Sequence, residues 1–316
     1  MSTLLNSDAH GVYVIAATPF SEDGAVDLGS IDRMIDFYLS CGVQGMTILG
    51  MMGEATKLSE EESQSVTRRI LKRIGGRIPV VVGVSNPGIK PMVDFTNFVM
   101  AEGAAGVMVA PIPTLRTDEQ IVNYFKLVCG SLGSEIPVVL QDYPLTTTVN
   151  FSVPAIERII AECPQIVVLK HEDCPGLPKL TRIRQGFEKA SQRRVSILVG
   201  NGGLYLPQEL ARGADGAMTG FAYPEMLVEV CDLFRKKNAT AGEDLFDIYL
   251  PLLRHEAQPG MGLALRKEIL RRRGAIQSSF VRAPGPKLTV DDHAELDRLI
   301  SRLERKLSDR GRAKVA

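Results

Sequence analysis

Lys170 is the residue whose setting most invites chemistry. It closes the apolar run Ile166-Val167-Val168-Leu169. Strand alternation puts Ile166, Val168 and Lys170 on one face and Val167 and Leu169 on the other. If the first face turns inward, burial penalises the ammonium and lowers the lysine pKa. A neutral amine adds to a ketone carbonyl and forms an imine. A strand-end lysine can instead snorkel to solvent, and the pattern fits both readings.

His171-Glu172-Asp173 follows directly. Three consecutive strand residues cannot all face one ion, and no second set with ligand spacing lies nearby, so no metal is expected. Glu172 shares the strand parity of Lys170 and is a candidate base, or else a loop carboxylate pairing with solvent or Lys179. His10 and His293 have no chemical context, and His255-Glu256 reads as a surface or packing pair in a helical segment. The five cysteines are odd in number with no CxxC spacing, which reads as reduced thiols in a cytoplasmic chain.

A scaffold must position these groups. Eight short apolar runs are expected as strands: Val12–Thr18, Gly45–Leu49, Pro79–Val84, Gly106–Ala110, Pro137–Gln141, Gln165–Lys170, Ser196–Gly200 and Gly216–Thr219. Helix-like segments interleave at 28–41, 59–74, 90–103, 117–131, 153–162, 177–189 and 205–212. Asp27 is a plausible N-cap, and Ser59 with Glu62 fits a capping box. This alternation predicts an α/β (β/α)8 barrel over residues 1–222. Segments 223–237, 241–256, 259–273 and 290–308 predict a C-terminal helical extension over 223–316, with Pro284-Gly285-Pro286 as a linker-like break. Such barrels carry their chemistry at the C-terminal strand ends. That collects Thr18, Gly50 to Glu54, Gln141, Lys170 to Asp173, Gly200-Asn201 and Thr219-Gly220.

Composition narrows the partners. Lys plus Arg and Asp plus Glu both total 37 of 316 residues, so no global positive field favours nucleic acid. Residues are 45% hydrophobic, which argues for a folded core. There is no signal-peptide pattern and no apolar run of spanning length, so neither export nor a membrane partner is expected.

Thr18-Pro19-Phe20 after strand one, Gly50-Met51-Met52-Gly53-Glu54 after strand two and Lys170 ending strand six together resemble the dihydrodipicolinate synthase/N-acetylneuraminate lyase superfamily, over about residues 11–290. The resemblance implies a class I lyase acting on pyruvate or another 2-keto acid, with no cofactor beyond a covalent Schiff base on Lys170, and usually a homotetramer. It implies that Thr18 and the backbone N–H groups of Met51 and Met52 bind the substrate, the two amides holding its carboxylate, and that Gly200 and Met218 line the pocket.

The departures are specific. The synthase and the sialic-acid lyase carry hydroxyl residues in the middle of the loop, where this chain has Met51 and Met52. Gln141 stands at the relay tyrosine of strand five, with Tyr143 two residues on. Pro113 replaces the second relay tyrosine, and Thr146 the arginine that grips aspartate semialdehyde. Gln141 cannot shuttle protons as a phenol does. Gln141-Asp142, Gly216-Ala217-Met218-Thr219-Gly220 and the His255-Glu256 region are more similar to a branch of 2-keto-3-deoxy sugar-acid dehydratases, including that of L-2-keto-3-deoxyarabonate. The expected activity is therefore dehydration or retro-aldol cleavage of such an acid, with Gln141 and Glu172 as catalytic candidates beside Lys170. The alternatives are 4-hydroxy-tetrahydrodipicolinate synthase by family label, and a catalytically silent keto-acid-binding barrel.

Overall fold

The computed structural model describes residues 4–189 and 193–313. Eight parallel strands close into a barrel in sequence order: β1 (Gly11–Ile15), β2 (Gly45–Ile48), β3 (Val80–Gly83), β4 (Gly106–Val109), β5 (Val138–Asp142), β6 (Ile166–His171), β7 (Ser196–Val199) and β8 (Gly216–Ala217). The helices between them are α1 (Leu28–Ser40), α2 (Glu60–Ile74), α3 (Ile89–Ala101), α4 (Asp118–Leu132), α5 (Pro144–Thr147), α6 (Val153–Glu162), α7 (Leu177–Lys189) and α8 (Leu206–Ala211). After β8 follow α9 (Pro224–Arg235), α10 (Ala239–Glu256), α11 (Gly262–Arg272) and α12 (Val290–Ala313). The (β/α)8 architecture is as the sequence predicts. The short α5 lies in a stretch where no helix is expected, and β8 is only two residues long.

Local chemistry explains the helix starts. Asp27 accepts from the Ser30 N–H at 2.8 Å. Ser59 and Glu62 form the expected reciprocal box, and Thr117 with Gln120 forms another.

The strands are apolar on both faces because the barrel has two cores. Tyr13, Ile15, Val81, Met108, Val139, Val168, Leu198 and Met218 fill its interior, and Leu5 and Ala9 of the N-terminal segment join them. Val12, Val14, Met46, Ile48, Val82, Leu140 and Leu169 pack outward against the helices. One expectation is corrected here. Val138 pairs with Ile166 but Val139 pairs with Val168, so Val167 is a bulge residue without a partner on β5. Ile166 therefore faces the helices and Val167 packs against the interior, the reverse of simple alternation. Above the bulge, alternation resumes and Lys170 shares the inward face of Val168.

The barrel closes where Gly11 of β1 meets Gly216 of β8. A Cβ on Gly216 would lie 2.0 Å from the Gly11 carbonyl oxygen, a backbone atom with no room to yield. Gly216→Ala is expected to cost about 3 kcal/mol by forcing this seam apart, read as a shift in the urea unfolding midpoint.

Candidate active site

The C-terminal strand ends hold a row of buried polar side chains. Gln141 and Lys170 are cross-strand partners on β5 and β6. Lys170 Nζ lies 3.1 Å from Glu172 Oε1, and Gln141 Nε2 donates to the same oxygen at 2.7 Å. All three are buried. Glu172 thus pairs with Lys170, whereas Lys179 pairs with Asp142 and Asp173 at 2.7 and 3.1 Å. The expected loop pairing of Glu172 with Lys179 is absent among the described residues. Asn201 Nδ2 donates to the Glu172 carbonyl at 3.0 Å and fixes the turn above the strand.

Gly200 has a steric role here. A Cβ at this position would fall 2.2 Å from both Cγ and Oε2 of Glu172, so only glycine leaves the carboxylate its place.

The loop after β2 forms the next wall. Met51–Gly53 is one 3₁₀ turn, in which the Gly53 and Glu54 N–H groups donate to Gly50 and Met51 carbonyls. The Met51 and Met52 amides open the turn, a geometry suited to an anion. Their side chains diverge: Met51 is 42% exposed, whereas Met52 packs against the barrel interior. Thr18 Oγ1 donates to the Gly53 carbonyl at 2.6 Å, tying the first loop to the second. Met218 is fully buried within the interior cluster and forms floor beneath the row. Tyr143 caps α5 instead of continuing β5, so it does not share the face of Gln141. Pro113 and Thr146 are exposed.

Strain gathers at this end. Leu49, Glu54, Thr148 and Asn201 all adopt positive φ between 50° and 59°, and each lies in a segment following a strand. Non-glycine residues in this region cost energy and cluster at functional sites.

Sequence reasoning missed what holds the β2 loop. Glu54 is buried and contacts Lys267 of α11 at 2.5 Å and Lys57 at 2.9 Å, and the Arg282 N–H donates to it at 3.1 Å. Lys267 also donates to the Phe280 carbonyl at 2.8 Å and stacks 4.5 Å from the Phe20 ring centroid. Burial pushes its ammonium down to about 8, against the pull of Glu54. Arg282 pairs with Glu62 and also lies over the Phe20 ring, 4.3 Å from its centroid. The segment read as a linker-like break is thus pinned at its start. No local signal pairs residues more than 200 positions apart. Similarly, Glu256 is a buried packing residue, bonded to Arg266 at 2.6 Å and to the Ala222 N–H at 3.0 Å.

No group of three or more metal-ligating side chains occurs among the described residues. No described helix is long and apolar enough to cross a membrane.

Comparison with known proteins agrees with this layout. Residues 8–303 match the dihydrodipicolinate synthetase family. The chain is 29% identical over 298 residues to the L-2-keto-3-deoxyarabonate dehydratase of Azospirillum brasilense, covering 93% of this chain and 94% of that protein. It is 31% identical over 211 residues to the 4-hydroxy-tetrahydrodipicolinate synthase of Sorangium cellulosum, covering 66% and 67%. A solved structure described as dihydrodipicolinate synthase from Rhodopseudomonas palustris is 47% identical with a TM-score of 0.93, covering 95% of this chain and all of that one.

Replacing Lys267 by Met removes the partner of Glu54 Oε1 and leaves the buried charge to Lys57 and the Arg282 N–H, both on Oε2. The expected cost is about 3–5 kcal/mol, measured by chemical denaturation. The Glu54→Gln/Lys267→Met pair should recover part of that loss, because no buried charge is then left unpaired.

Proposed function

The chain belongs to the dihydrodipicolinate synthetase family and is a lyase, and from that premise we propose that it dehydrates a 2-keto-3-deoxy sugar acid through an imine on Lys170. The family's chemistry is that of lysine Schiff bases without a metal cofactor. The observation that carries the substrate reading is the buried Gln141–Glu172–Lys170 row, with an amide, Gln141, where the synthase has a phenol and the Glu172 carboxylate bonded to it. It is supported by the near full-length similarity to a keto-deoxy sugar-acid dehydratase.

The residues divide the work as follows. The Met51 and Met52 amides hold the substrate carboxylate. Lys170 passes a proton to Glu172, 3.1 Å away, and its amine attacks C2. One amine proton moves to the carbonyl oxygen, which leaves as water with the proton that Glu172 returns, and the cationic imine remains beside the Glu172 carboxylate. The cationic imine acidifies C3. Glu172 takes the C3 proton, the C3–C4 double bond forms, and the C4 hydroxyl leaves as water with the proton that Glu172 returns. Gln141 donates to Glu172 at 2.7 Å and orients it for both transfers. Thr18 holds the loop that presents the amides, and Gly200 and Met218 shape the wall and floor. Retro-aldol cleavage uses the same imine but requires deprotonation of the C4 hydroxyl and breaks C3–C4.

The second reading, 4-hydroxy-tetrahydrodipicolinate synthase, is favoured by the names of several relatives. Gln141, Pro113 and Thr146 argue against it, since they leave no phenol relay and no arginine for a second carboxylate. The silent-barrel reading would follow from Met51 and Met52 in the loop and from the tyrosine lost at Gln141. We further propose that residues 1–222 form the barrel and 223–316 an extension, and that the chain forms a homotetramer in the cytoplasm on a small-molecule 2-keto acid, with light scattering to test its mass.

Borohydride reduction in the presence of pyruvate or a 2-keto-3-deoxy sugar acid should leave one adduct, on Lys170, by peptide mass spectrometry. Lys170→Ala should abolish adduct and turnover with the fold intact. Glu172→Gln should keep an adduct but lose about 10²–10⁴ in dehydration rate. Absence of any adduct on the wild-type chain would sink the mechanism. Condensation of pyruvate with aspartate semialdehyde at a rate exceeding dehydration would favour the second reading.

A further inference from the structure

A second buried polar cluster lies behind the same stretch of barrel wall, and the reaction outlined above does not use it. Asp142 and His171 are cross-strand partners on the rung after Gln141 and Lys170. Alternation turns them outward, toward α7 and α8, where both are buried. His171 Nδ1 lies 3.3 Å from Asp142 Oδ2, and its Nε2 lies 3.0 Å from the Gly176 carbonyl oxygen. Both neighbours are acceptors, so the site suits an imidazole that donates from both ring nitrogens, its charged form. The same Asp142 oxygen receives Lys179 at 2.7 Å. Backbone bonds close the frame: the Glu172 N–H donates to the Asp142 carbonyl at 2.8 Å, and the Gly200 N–H to the His171 carbonyl at 3.0 Å.

The β5–β6 pair needs such a frame. Its bulge at Val167 interrupts the ladder, and only four rungs lie above it. A slip of one residue would flip every side chain on β6 and turn Lys170 out among the helices. The rungs Val139–Val168 and Leu140–Leu169 do little to oppose it, because aliphatic partners exchange at small cost. A slip at Asp142–His171 would instead take the buried imidazole from its Asp142 acceptor and leave that carboxylate to Lys179 alone, which is costly.

We propose that His171 is a positioning residue, held between Asp142 and Gly176, which selects the strand register that turns Lys170 and Glu172 toward Gln141 inside the barrel. The inference rests on the reading of Lys170 as the imine-forming residue. The charged groups facing His171 are Asp142 from β5, Lys179 of α7, which also holds Asp173, and Glu209 of α8, while its chain neighbours Lys170 and Glu172 turn to the barrel interior. Glu209 is buried, with one oxygen unpartnered among the described residues, and burial pushes it up to about 7. Burial pushes the His171 imidazole down, but the hydrogen bond and charge of Asp142 outweigh it, and the net direction is upward. The bonds of the imidazolium are thus fully present below the ordinary value of about 6.5 and are lost as pH rises through the higher folded value. Glu209 acts in the same sense, since it too holds its proton more tightly in the fold.

The test compares the wild-type chain with His171→Leu, His171→Gln and Asp142→Asn, using pyruvate with borohydride and steady-state kinetics on 2-keto-3-deoxy sugar acids. His171→Leu should still give the Lys170 adduct, formed about 10–100-fold more slowly, with kcat reduced in proportion and KM within about threefold. His171→Gln keeps a donor for Gly176 and should recover most of that loss. It should also lack the extra decline in kcat that the wild type shows as pH rises through the raised value of the imidazole. Should His171→Leu not fold, Asp142→Asn carries the test, with an expected loss of about tenfold in kcat at unchanged KM. A folded His171→Leu, or in its place Asp142→Asn, with wild-type adduct rate and kcat would overturn the inference. So would a His171→Gln variant no better than His171→Leu, or one with the wild-type pH profile. Failure of the wild-type chain to form any adduct would instead overturn the imine reading itself.

Discussion

The buried contact between Glu54 and Lys267 is the interaction on which the face of the barrel depends. Neither side chain has appreciable solvent exposure, and they come from the β2 loop and from α11. Two charges without water must satisfy one another with good geometry, and each has further partners: Lys57 and the Arg282 N–H for Glu54, the Phe280 carbonyl and the Phe20 ring for Lys267. The consequence is geometric. Glu54 sits at φ 55°, in a conformation that an unsupported loop would leave, and its anchorage holds the turn that opens with the Met51 and Met52 amides. Phe20 follows Thr18 in sequence and Phe280 precedes Arg282, so one lysine joins two site loops to the C-terminal helices.

A second constraint runs through the wall between β5 and β6. Parallel barrel strands have two buried faces, so any polar residue on them needs a partner on its own side. Gln141, Lys170 and Glu172 meet that need inside, and Asp142, His171 and Lys179 meet it outside. The two sets occupy consecutive rungs, which makes the outer bonds part of the inner geometry. Gly200 completes the arrangement by leaving space for the Glu172 carboxylate.

Much of this was legible in the residues. The β/α alternation, the Ser59–Glu62 capping box and the apolar run ending in Lys170 follow from short-range pattern, and pattern is set by neighbours a few positions apart. The shared parity of Lys170 and Glu172 was readable because alternation holds above the bulge. The bulge itself was not readable. Ile166 and Val167 are both aliphatic, and only pairing with β5 decides which of them turns inward. The partner of Glu172 was likewise open in the sequence, because Lys179 lies nearer along the chain than Gln141 does.

What the sequence determined alone is the inventory: eight strand-forming runs, a lysine at the end of the sixth, a Gly-x-x-Gly-Glu loop, and no phenol at the end of the fifth. The tertiary structure decided the pairings, Glu54 with Lys267, Glu172 with Lys170 and Gln141, and Asp142 with His171 and Lys179. The physical reason is that burial sets the strength and cost of a charge or hydrogen bond, and burial is a property of the closed barrel and its packed helices. A carboxylate in a sequence has many possible partners, and closure leaves it only those within reach.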